Sequence, residues 1–306
     1  MADWYFRNRQ TDSIKACPGC GNLVRKDQEY CPYCAKRLAP EKGVRGLVRQ
    51  ASAIPYLATK IVLGALVLFF ILQFVTDLLL PPTERKDAFG GGFFSLLTSY
   101  PVTYRLLGAA IPYFVLEYGQ VWRFFMSCLL HFGLIHILFN GYALWNLGRL
   151  VEKFWGMRQV YAIFIITGAL GAVASFLWSA FVTKNLFVHA AGASGGICGL
   201  LGLLLGRFYR NRYHIGEFLG SQLVRWAVYL IVFGVAFGAD NAAHIGGMLS
   251  GAALGYFLPP TAHSRKPRRD STIWAALTIL AGAVALVSLG FMLQFYFVAL
   301  TELRSA

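Results

Sequence analysis

The stretch GASGGICGLLGLLLG, residues 192–206, is apolar apart from one serine and repeats small residues at helical spacing. Its glycines four residues apart are Gly195 with Gly199 and Gly202 with Gly206. On a helix such pairs form a small face, which lets a second helix pack closely inside a membrane. A matching face, with Gly247 and Gly251, stands in AHIGGMLSG, residues 243–251. The two stretches predict two membrane helices in close contact.

The composition of the whole chain is that of a membrane protein. Of its 306 residues 57% are hydrophobic and 14% charged, with a mean hydropathy of +0.55, whereas soluble domains carry about 25% charged residues. About 20 apolar residues in a helix cross a bilayer. We therefore predict an all-α polytopic membrane protein with seven spans, the fourth and sixth of them short. The predicted spans are 57–80, 130–148, 158–182, 194–209, 218–238, 242–258 and 273–298.

The distribution of basic residues predicts the orientation. The net charge of +14 could suggest nucleic acid, but Lys and Arg cluster between the apolar runs and in the first sixty positions, where they act as topology determinants facing anionic lipid. Segments 1–60, 149–158, 207–225 and 259–272 hold 11, 3, 4 and 4 of the 28 basic residues. This bias predicts a cytoplasmic N-terminus and an external C-terminus in a bacterial plasma membrane. The first residues lack the apolar core of a cleavable signal peptide.

Several polar side chains fall at the outer ends of these spans, where ionisable groups are costly and usually functional. A serine hydroxyl such as that of Ser194 needs a general base, which His244 could supply. His136 and Asn140, four residues apart, share a helix face and could donate to an oxyanion together with the Ser194 N–H. The simpler alternatives are a small packing serine and a buried structural histidine. The HFGLIH run lacks the HExxH spacing of a metalloprotease.

The polar first fifty residues contain CPGC and CPYC, two pairs of cysteines separated by ten residues. Four thiolates at this spacing predict a tetrahedral Zn²⁺ site in a small zinc ribbon. The alternative, a disulfide framework, does not fit a reducing cytoplasm. So small a segment cannot bury enough apolar surface to fold unaided, so the metal would stabilise it. A tether or a docking site for a cytoplasmic protein is favoured over nucleic acid. The predicted ligands are Cys17, Cys20, Cys31 and Cys34.

The segment 81–121, called here the outer segment, mixes aromatic residues and leucines with Pro101 and Pro112. Short apolar stretches of this kind lie in the membrane interface or re-enter the membrane. A loose amphipathic loop on the outer side is the alternative, and the sequence does not choose between them.

Five motifs occur in order along the chain, and together they resemble a rhomboid intramembrane serine protease over roughly residues 60–258. The motifs are Trp122-Arg123, the HxxxxHxxxN run from His131 to Asn140, Gly148-x-x-x-Glu152-x-x-x-Gly156, Gly192-Ala193-Ser194-Gly195 and Ala243-His244-x-x-Gly247-x-x-x-Gly251. The resemblance implies a Ser194–His244 dyad without an acidic third member. It also implies an oxyanion hole formed by the Ser194 backbone with the side chains of His136 and Asn140.

The resemblance further implies a rhomboid-like six-helix bundle plus one C-terminal transmembrane helix, preceded by the ribbon. The expected domains are a ribbon with a basic connector at 1–50, a catalytic core at 51–260, and a basic loop with the seventh helix at 261–306. The outer segment would be the membrane-embedded loop, and Glu152 on the inner side would be structural. Supporting roles are expected for His131, Gly192, Gly195, Gly247, Gly251, Trp122, Arg123 and Glu152.

The functional hypothesis is a serine endopeptidase that cuts membrane-protein substrates in or near their transmembrane segments, without a cofactor for catalysis. The main alternative is a non-catalytic rhomboid-like protein that binds membrane helices. Such relatives lack the serine or the histidine, and this chain has both. A transporter would require internal repeats and polar residues along a path across the bilayer. Asp240, four residues before His244, is expected to cap the sixth span rather than to act in catalysis.

Overall fold

The structure, a computed structural model, describes residues 14–17, 20–25, 28–35, 38, 54–84, 98–210, 223–226, 228–230, 232, 240–258 and 267–305. The chain divides into two compact units, Met1–Pro55 and Tyr56–Ala306. Most of the predicted span 218–238, residues 85–97 of the outer segment and most of the basic loop before the last helix lie outside the described residues.

The N-terminal unit contains a short antiparallel hairpin. Strand β1 (Ile14–Ala16) pairs with strand β2 (Leu23–Arg25), with Lys15 opposite Val24. Among the residues of this unit that the structure describes, the buried ones are Cys17, Val24, Cys31 and Leu38. An apolar core of this size is far below what a domain needs to fold without a metal or disulfides.

The described residues of the second unit are mostly helical, with irregular connections such as 183–193. Its helices are α1 (Leu57–Leu79), α2 (Pro101–Leu107), α3 (Pro112–Tyr118), α4 (Arg123–Met126), α5 (Leu134–Trp155), α6 (Met157–Leu177), α7 (Ser194–Arg210), α8 (Asn241–Phe257) and α9 (Pro267–Ser305). A 3₁₀ turn extends α4 to Leu129, and a π-helical turn extends α6 to Val182.

The long helices fall where the hydrophobic runs predict them, and the chain is a multi-pass membrane protein. Within the described residues, three helical segments are long and apolar enough to cross a membrane: Leu57–Leu79, Met157–Val182 and Ser271–Ser305. A fourth candidate is the pair Arg123–Leu129 and Leu134–Trp155, which is bent by 94°. Helices α7 and α8 have 17 residues each, as expected for the two short spans. The all-α prediction is therefore confirmed.

Helices α7 and α8 pack very closely, and their contact is made by backbone. A Cβ atom added to Gly247 would lie 2.1 Å from the carbonyl oxygen of Gly195, and one added to Gly251 would lie 2.0 Å from that of Gly199. Gly255, which the sequence motif does not include, continues the row one turn further. A Cβ atom added to Gly255 would lie 2.0 Å from the carbonyl oxygen of Leu203. Only glycine fits at these positions, so the row fixes the register of the two helices.

Helix α7 packs with equal closeness against α6 on another face. A Cβ atom on Gly199 would lie 1.7 Å from Oγ1 of Thr167, and one on Gly196 would lie 2.7 Å from the carbonyl oxygen of Phe164. The glycines of the opening stretch therefore serve two helix contacts rather than one. This double packing holds Ser194, the first residue of α7, at a fixed place in the bundle.

Glu152 stabilises the start of α1 from a distant part of the chain. Its carboxylate accepts hydrogen bonds from the backbone N–H groups of Ala58 and Thr59 at 3.1 and 3.0 Å, and from the Thr59 hydroxyl at 2.7 Å. The first N–H groups of a helix have no partner within the helix, and a negative charge there is favourable. Gly148, one turn earlier on α5, leaves room for the Thr59 side chain. A Cβ atom added to Gly148 would lie 2.9 Å from Cγ2 of Thr59.

The described part of the outer segment is folded and packed. Leu106, Leu107 and Ile111 are almost completely buried, and Gly108, with φ of +96°, ends α2 in a left-handed turn. The loose-loop alternative is therefore wrong for residues 98–121. Asp77 near the end of α1 fixes the start of α2 by accepting hydrogen bonds from the Tyr100 N–H and the Thr103 hydroxyl.

Candidate active site

Ser194 and His244 meet at the N-terminal ends of two neighbouring helices. Ser194 begins α7 and His244 lies in the first turn of α8. The glycine row between these helices brings Nε2 of the imidazole to 2.8 Å from Oγ of the serine. A hydroxyl and an imidazole nitrogen at this distance can share a proton.

No carboxylate among the described residues forms a hydrogen bond with the second ring nitrogen of His244. Its Nδ1 is buried without a hydrogen-bond partner in that part of the chain. Asp240 instead caps α8 by accepting from the Ala243 N–H at 3.0 Å, and its second oxygen accepts from the Ser175 hydroxyl. The prediction that Asp240 is a helix cap is confirmed. The arrangement is a pair rather than a triad.

His136 borders the same space. Its Nδ1 accepts the backbone N–H of Phe132 at 3.3 Å, so the neutral ring carries its proton on Nε2, which becomes a donor. A Cβ atom on Gly192 would lie 3.1 Å from that Nε2 and 3.6 Å from the Ser194 hydroxyl. Gly192 also has φ of +145°, so its glycine is required both by backbone conformation and by space.

Asn140 lies one turn further along the same face of α5. It is only 6% exposed, and its Nδ2 has no hydrogen-bond partner among the described residues. A buried donor left without a partner costs about 1–3 kcal/mol, so such groups call for a specific reason. Donors are therefore available from the side chains of His136 and Asn140, and the start of α7 adds unpaired backbone N–H groups.

The loop that leads into Ser194 is bonded to the outer segment. Ala110 and Ala190 exchange two backbone hydrogen bonds of 2.9 and 3.0 Å, and the Gly192 N–H donates to the Ser127 carbonyl at 2.9 Å. These contacts join parts of the chain about 65 to 80 residues apart, and no local sequence pattern indicates them. They make the outer segment part of the wall of the site.

These features coincide with a known family. Residues 118–261 match the family model of the Rhomboid domain. The chain contains a rhomboid domain. It is 34% identical over 166 residues to Rhomboid protease GluP of Bacillus subtilis, a match covering 53% of this chain and 31% of that protein. It is 28% identical over 238 residues to RHOMBOID-like protein 4 of Arabidopsis thaliana, covering 72% and 57% of the two chains.

Rhomboid-like protease 2 of Toxoplasma gondii is 28% identical over 197 residues, covering 61% of this chain and 66% of that protein. The matched regions thus make up between about a third and two thirds of the length of these relatives. Ser194, His244, His136 and Asn140 all lie inside the matched rhomboid domain.

Two further residues of the rhomboid motifs, Trp122 and Arg123, contact the outer segment. Arg123 is fully buried and donates to the carbonyl oxygens of Arg105 at 2.9 Å and Ala109 at 3.1 Å. It also donates to the Gln120 side chain at 2.7 Å. The Trp122 ring fills the space beside Gly108, where an added Cβ atom would lie 2.6 Å from it.

His131, the first residue of the HxxxxHxxxN run, is buried beside His136, and the two rings meet edge to face with centroids 5.1 Å apart. Its backbone is held by Gln73, which donates to the His131 carbonyl at 2.9 Å and accepts from the His131 N–H at 3.0 Å. Gln73 does not belong to the motifs. A buried amide inside the largely apolar first span is the signal that could have indicated it.

The N-terminal cysteines, which precede the rhomboid domain, form a cluster that could hold a metal ion. The four sulfur atoms all lie within 4.8 Å of one another. Cys17 and Cys34 are 3.7 Å apart, as are Cys20 and Cys31. Thiolates bound tetrahedrally at about 2.3 Å from Zn²⁺ are separated from one another by about 3.8 Å. The donor set and its spacing therefore fit a tetrahedral metal site.

Proposed function

We propose that this chain is an intramembrane serine protease that hydrolyses peptide bonds in or near the transmembrane segments of membrane proteins. The observation that carries the proposal is the 2.8 Å contact between Ser194 Oγ and His244 Nε2. These two polar groups meet in a bundle built from apolar helices, where an unused ionisable residue would be costly. The rhomboid domain supports the same reaction class.

The chemistry follows from the geometry. With its proton on Nδ1, His244 accepts the Ser194 proton at Nε2 while Oγ attacks the carbonyl carbon of the substrate. A C–O bond forms, and the carbonyl oxygen becomes an oxyanion. The imidazolium then gives its proton to the leaving nitrogen as the C–N bond breaks, which leaves an ester on Ser194. Water attacks the ester, His244 takes its proton and returns it to Oγ, and the acid product leaves.

The developing oxyanion would be stabilised by three donors. We assign these to the Ser194 backbone N–H, the Nε2–H of His136 and the Nδ2–H of Asn140. The buried Asn140 amide without a partner supports this assignment, because a preorganised donor pays no desolvation cost at the moment of reaction.

We expect Asn140→Ala to lower kcat about 10²- to 10³-fold with little change in KM, since the donor acts mainly in the transition state. Cleavage of a reconstituted reporter measures both constants. The matched control is Asn146→Ala on the same helix, where the amide donates to the Tyr142 carbonyl. An unchanged kcat for Asn140→Ala would remove Asn140 from the oxyanion hole.

The substrate class follows from the depth of the site. A helical peptide bond is hydrogen-bonded and shielded, so cleavage requires a locally unwound chain with helix-weakening residues. We propose single-span membrane proteins whose helix unwinds near the outer boundary. The orientation with a cytoplasmic N-terminus and an external C-terminus in a bacterial plasma membrane rests on the distribution of basic residues. We also propose three domains, as the rhomboid resemblance implies: the ribbon with its connector at 1–50, the catalytic core at 51–260, and the basic loop with the seventh helix at 261–306.

The alternative function is a non-catalytic rhomboid-like binder of membrane helices. Reaction with a fluorophosphonate, which phosphonylates activated serines, distinguishes the two without knowledge of the substrate. The proposal requires labelling of the wild-type protein and none of Ser194→Ala. A binder would remain unlabelled in both forms.

We propose that the four-cysteine cluster binds one structural Zn²⁺, and that catalysis needs no cofactor. Four thiolates at these separations favour Zn²⁺, which would provide stability that the four buried residues of this unit do not supply. The ribbon would serve as a tether or as a docking site for a cytoplasmic protein.

The purified full chain should contain about one zinc per molecule by elemental analysis. Cys20→Ser should reduce this content to near zero and expose the hairpin residues to protease, because three ligands do not close the site. Cys128→Ser, a change at a buried cysteine of the helical unit, serves as the control and should keep its zinc. A wild-type chain without metal would contradict the ribbon.

A further inference from the structure

The last helix, α9, contacts α1, Phe114 of the outer segment, and Trp122 and Arg123, which directly follow this segment. The ring of Phe295 lies 4.9 Å from the guanidinium carbon of Arg123 and 5.9 Å from the ring of Trp122. The next residue, Tyr296, shares a hydrogen bond of 3.2 Å with the Thr76 hydroxyl of α1. Near its end, Arg304 donates to the carbonyl of Leu79. Helix α9 therefore contacts both α1 and the region 114–123.

The Arg123 guanidinium is the centre of these contacts. It is fully buried and surrounded by three aromatic rings, those of Phe114 at 4.4 Å, Trp122 at 4.7 Å and Phe295 at 4.9 Å. A desolvated guanidinium is stabilised by the negative faces of such rings. Phe114 and Trp122 lie within nine residues of Arg123 in the sequence, and Phe295 is the ring that α9 contributes.

Two sets of hydrogen bonds, joined by short stretches of backbone, connect Arg123 with the nucleophile. The guanidinium donates a hydrogen bond to the carbonyl oxygen of Ala109. The next residue, Ala110, exchanges backbone hydrogen bonds with Ala190. Ala190 begins the short loop that includes Gly192 and ends at Ser194. A displacement of Arg123 would therefore shift the segment against which this loop is paired.

We propose that Phe295 of α9 is a positioning residue, which holds the Arg123 guanidinium and through it keeps the loop 190–194 in the arrangement that lets Ser194 react. This inference rests on the proposed function and assigns to the seventh helix a part in the reaction. The ring face is what matters, because leucine has a similar volume but offers no negative face to a cation, whereas tyrosine does.

The test is the rate of fluorophosphonate labelling of Ser194 in the full chain, measured below the unfolding temperature of each variant. We expect Phe295→Leu to slow labelling roughly threefold to thirtyfold, and Phe295→Tyr to keep most of the wild-type rate. The matched control is Phe291→Leu, one turn away on the same helix, where the ring is 51% exposed. This control should label as the wild type does.

A second comparison measures the coupling of the two side chains. In the Arg123→Gln background, Phe295→Leu should slow labelling no further, because the cation that the ring holds is gone. Three outcomes would each overturn the positioning role and leave the proposed function standing. Phe295→Leu could label at the wild-type rate, or Phe291→Leu could slow labelling as much as Phe295→Leu does. In the third, Phe295→Leu would slow labelling to the same extent in the Arg123→Gln background. A wild-type protein that is not labelled at all would refute the proposed function and this role with it.

Discussion

Ser194→Ala is expected to abolish cleavage of a helical reporter in reconstituted vesicles while leaving membrane insertion unchanged. Within the described site, the Ser194 hydroxyl is the group from which His244 can take a proton, because its Oγ lies 2.8 Å from Nε2 of the imidazole. Removing the nucleophile of a serine protease costs on the order of 10⁴-fold or more in kcat. The appearance of the two reporter fragments measures this loss.

The control for this prediction is Ser250→Ala. Ser250 is also a hydroxyl near the glycine row, but it donates to the Gly247 carbonyl within α8 and has no place in the proposed reaction. We expect wild-type cleavage from this variant. Cleavage by Ser194→Ala within tenfold of the wild-type rate would show that another group is the nucleophile.

Gly251→Ala is expected to have the largest effect on stability. The added methyl group would lie 2.0 Å from the carbonyl oxygen of Gly199, and α7 cannot retreat because Thr167 packs against its other face. Overpacking of a well-packed core costs about 1–3 kcal/mol and sometimes more, and a backbone contact belongs at the upper end. We expect a lower unfolding temperature in detergent and earlier reaction of the buried Cys198 thiol of α7 with a thiol reagent.

Gly64→Ala and Gly290→Ala are the matched controls, because a Cβ atom at either position meets nothing within 4 Å. Both glycines lie inside long helices, α1 and α9. Their variants should unfold at or slightly above the wild-type temperature, since alanine is the better helix former. Equal stability of Gly251→Ala and these controls would contradict the close backbone contact of α7 and α8.

The sequence predicts the helices and the pairing of α7 with α8 well, because apolar length and glycine spacing are local patterns. It indicates Ser194, His244, His136 and Asn140 as one group. The structure brings His244 to Ser194, places Ser194 and His136 beside Gly192, and puts Asn140 on the same face of α5 as His136. The predicted fifth span, 218–238, falls mostly outside the described residues and stays a prediction.

Other features depend on contacts between distant residues, which periodicity does not reveal. The pairing of Ala110 with Ala190 uses backbone groups of unremarkable residues. Gln73 and Asp77 carry a signal, since polar side chains in an apolar span are costly without partners. Their partners, at His131 and at the start of α2, become visible only in the folded chain.

The most direct test of the central claim, a serine and a histidine that act together inside the membrane domain, is an experimental structure of the fluorophosphonate-treated protein. We expect phosphorus bonded to Oγ of Ser194, with its oxygen about 2.7–3.1 Å from donors on His136 and Asn140, and His244 still facing the modified serine. A label on a different residue, or an imidazole turned away from Ser194, would contradict the proposed dyad.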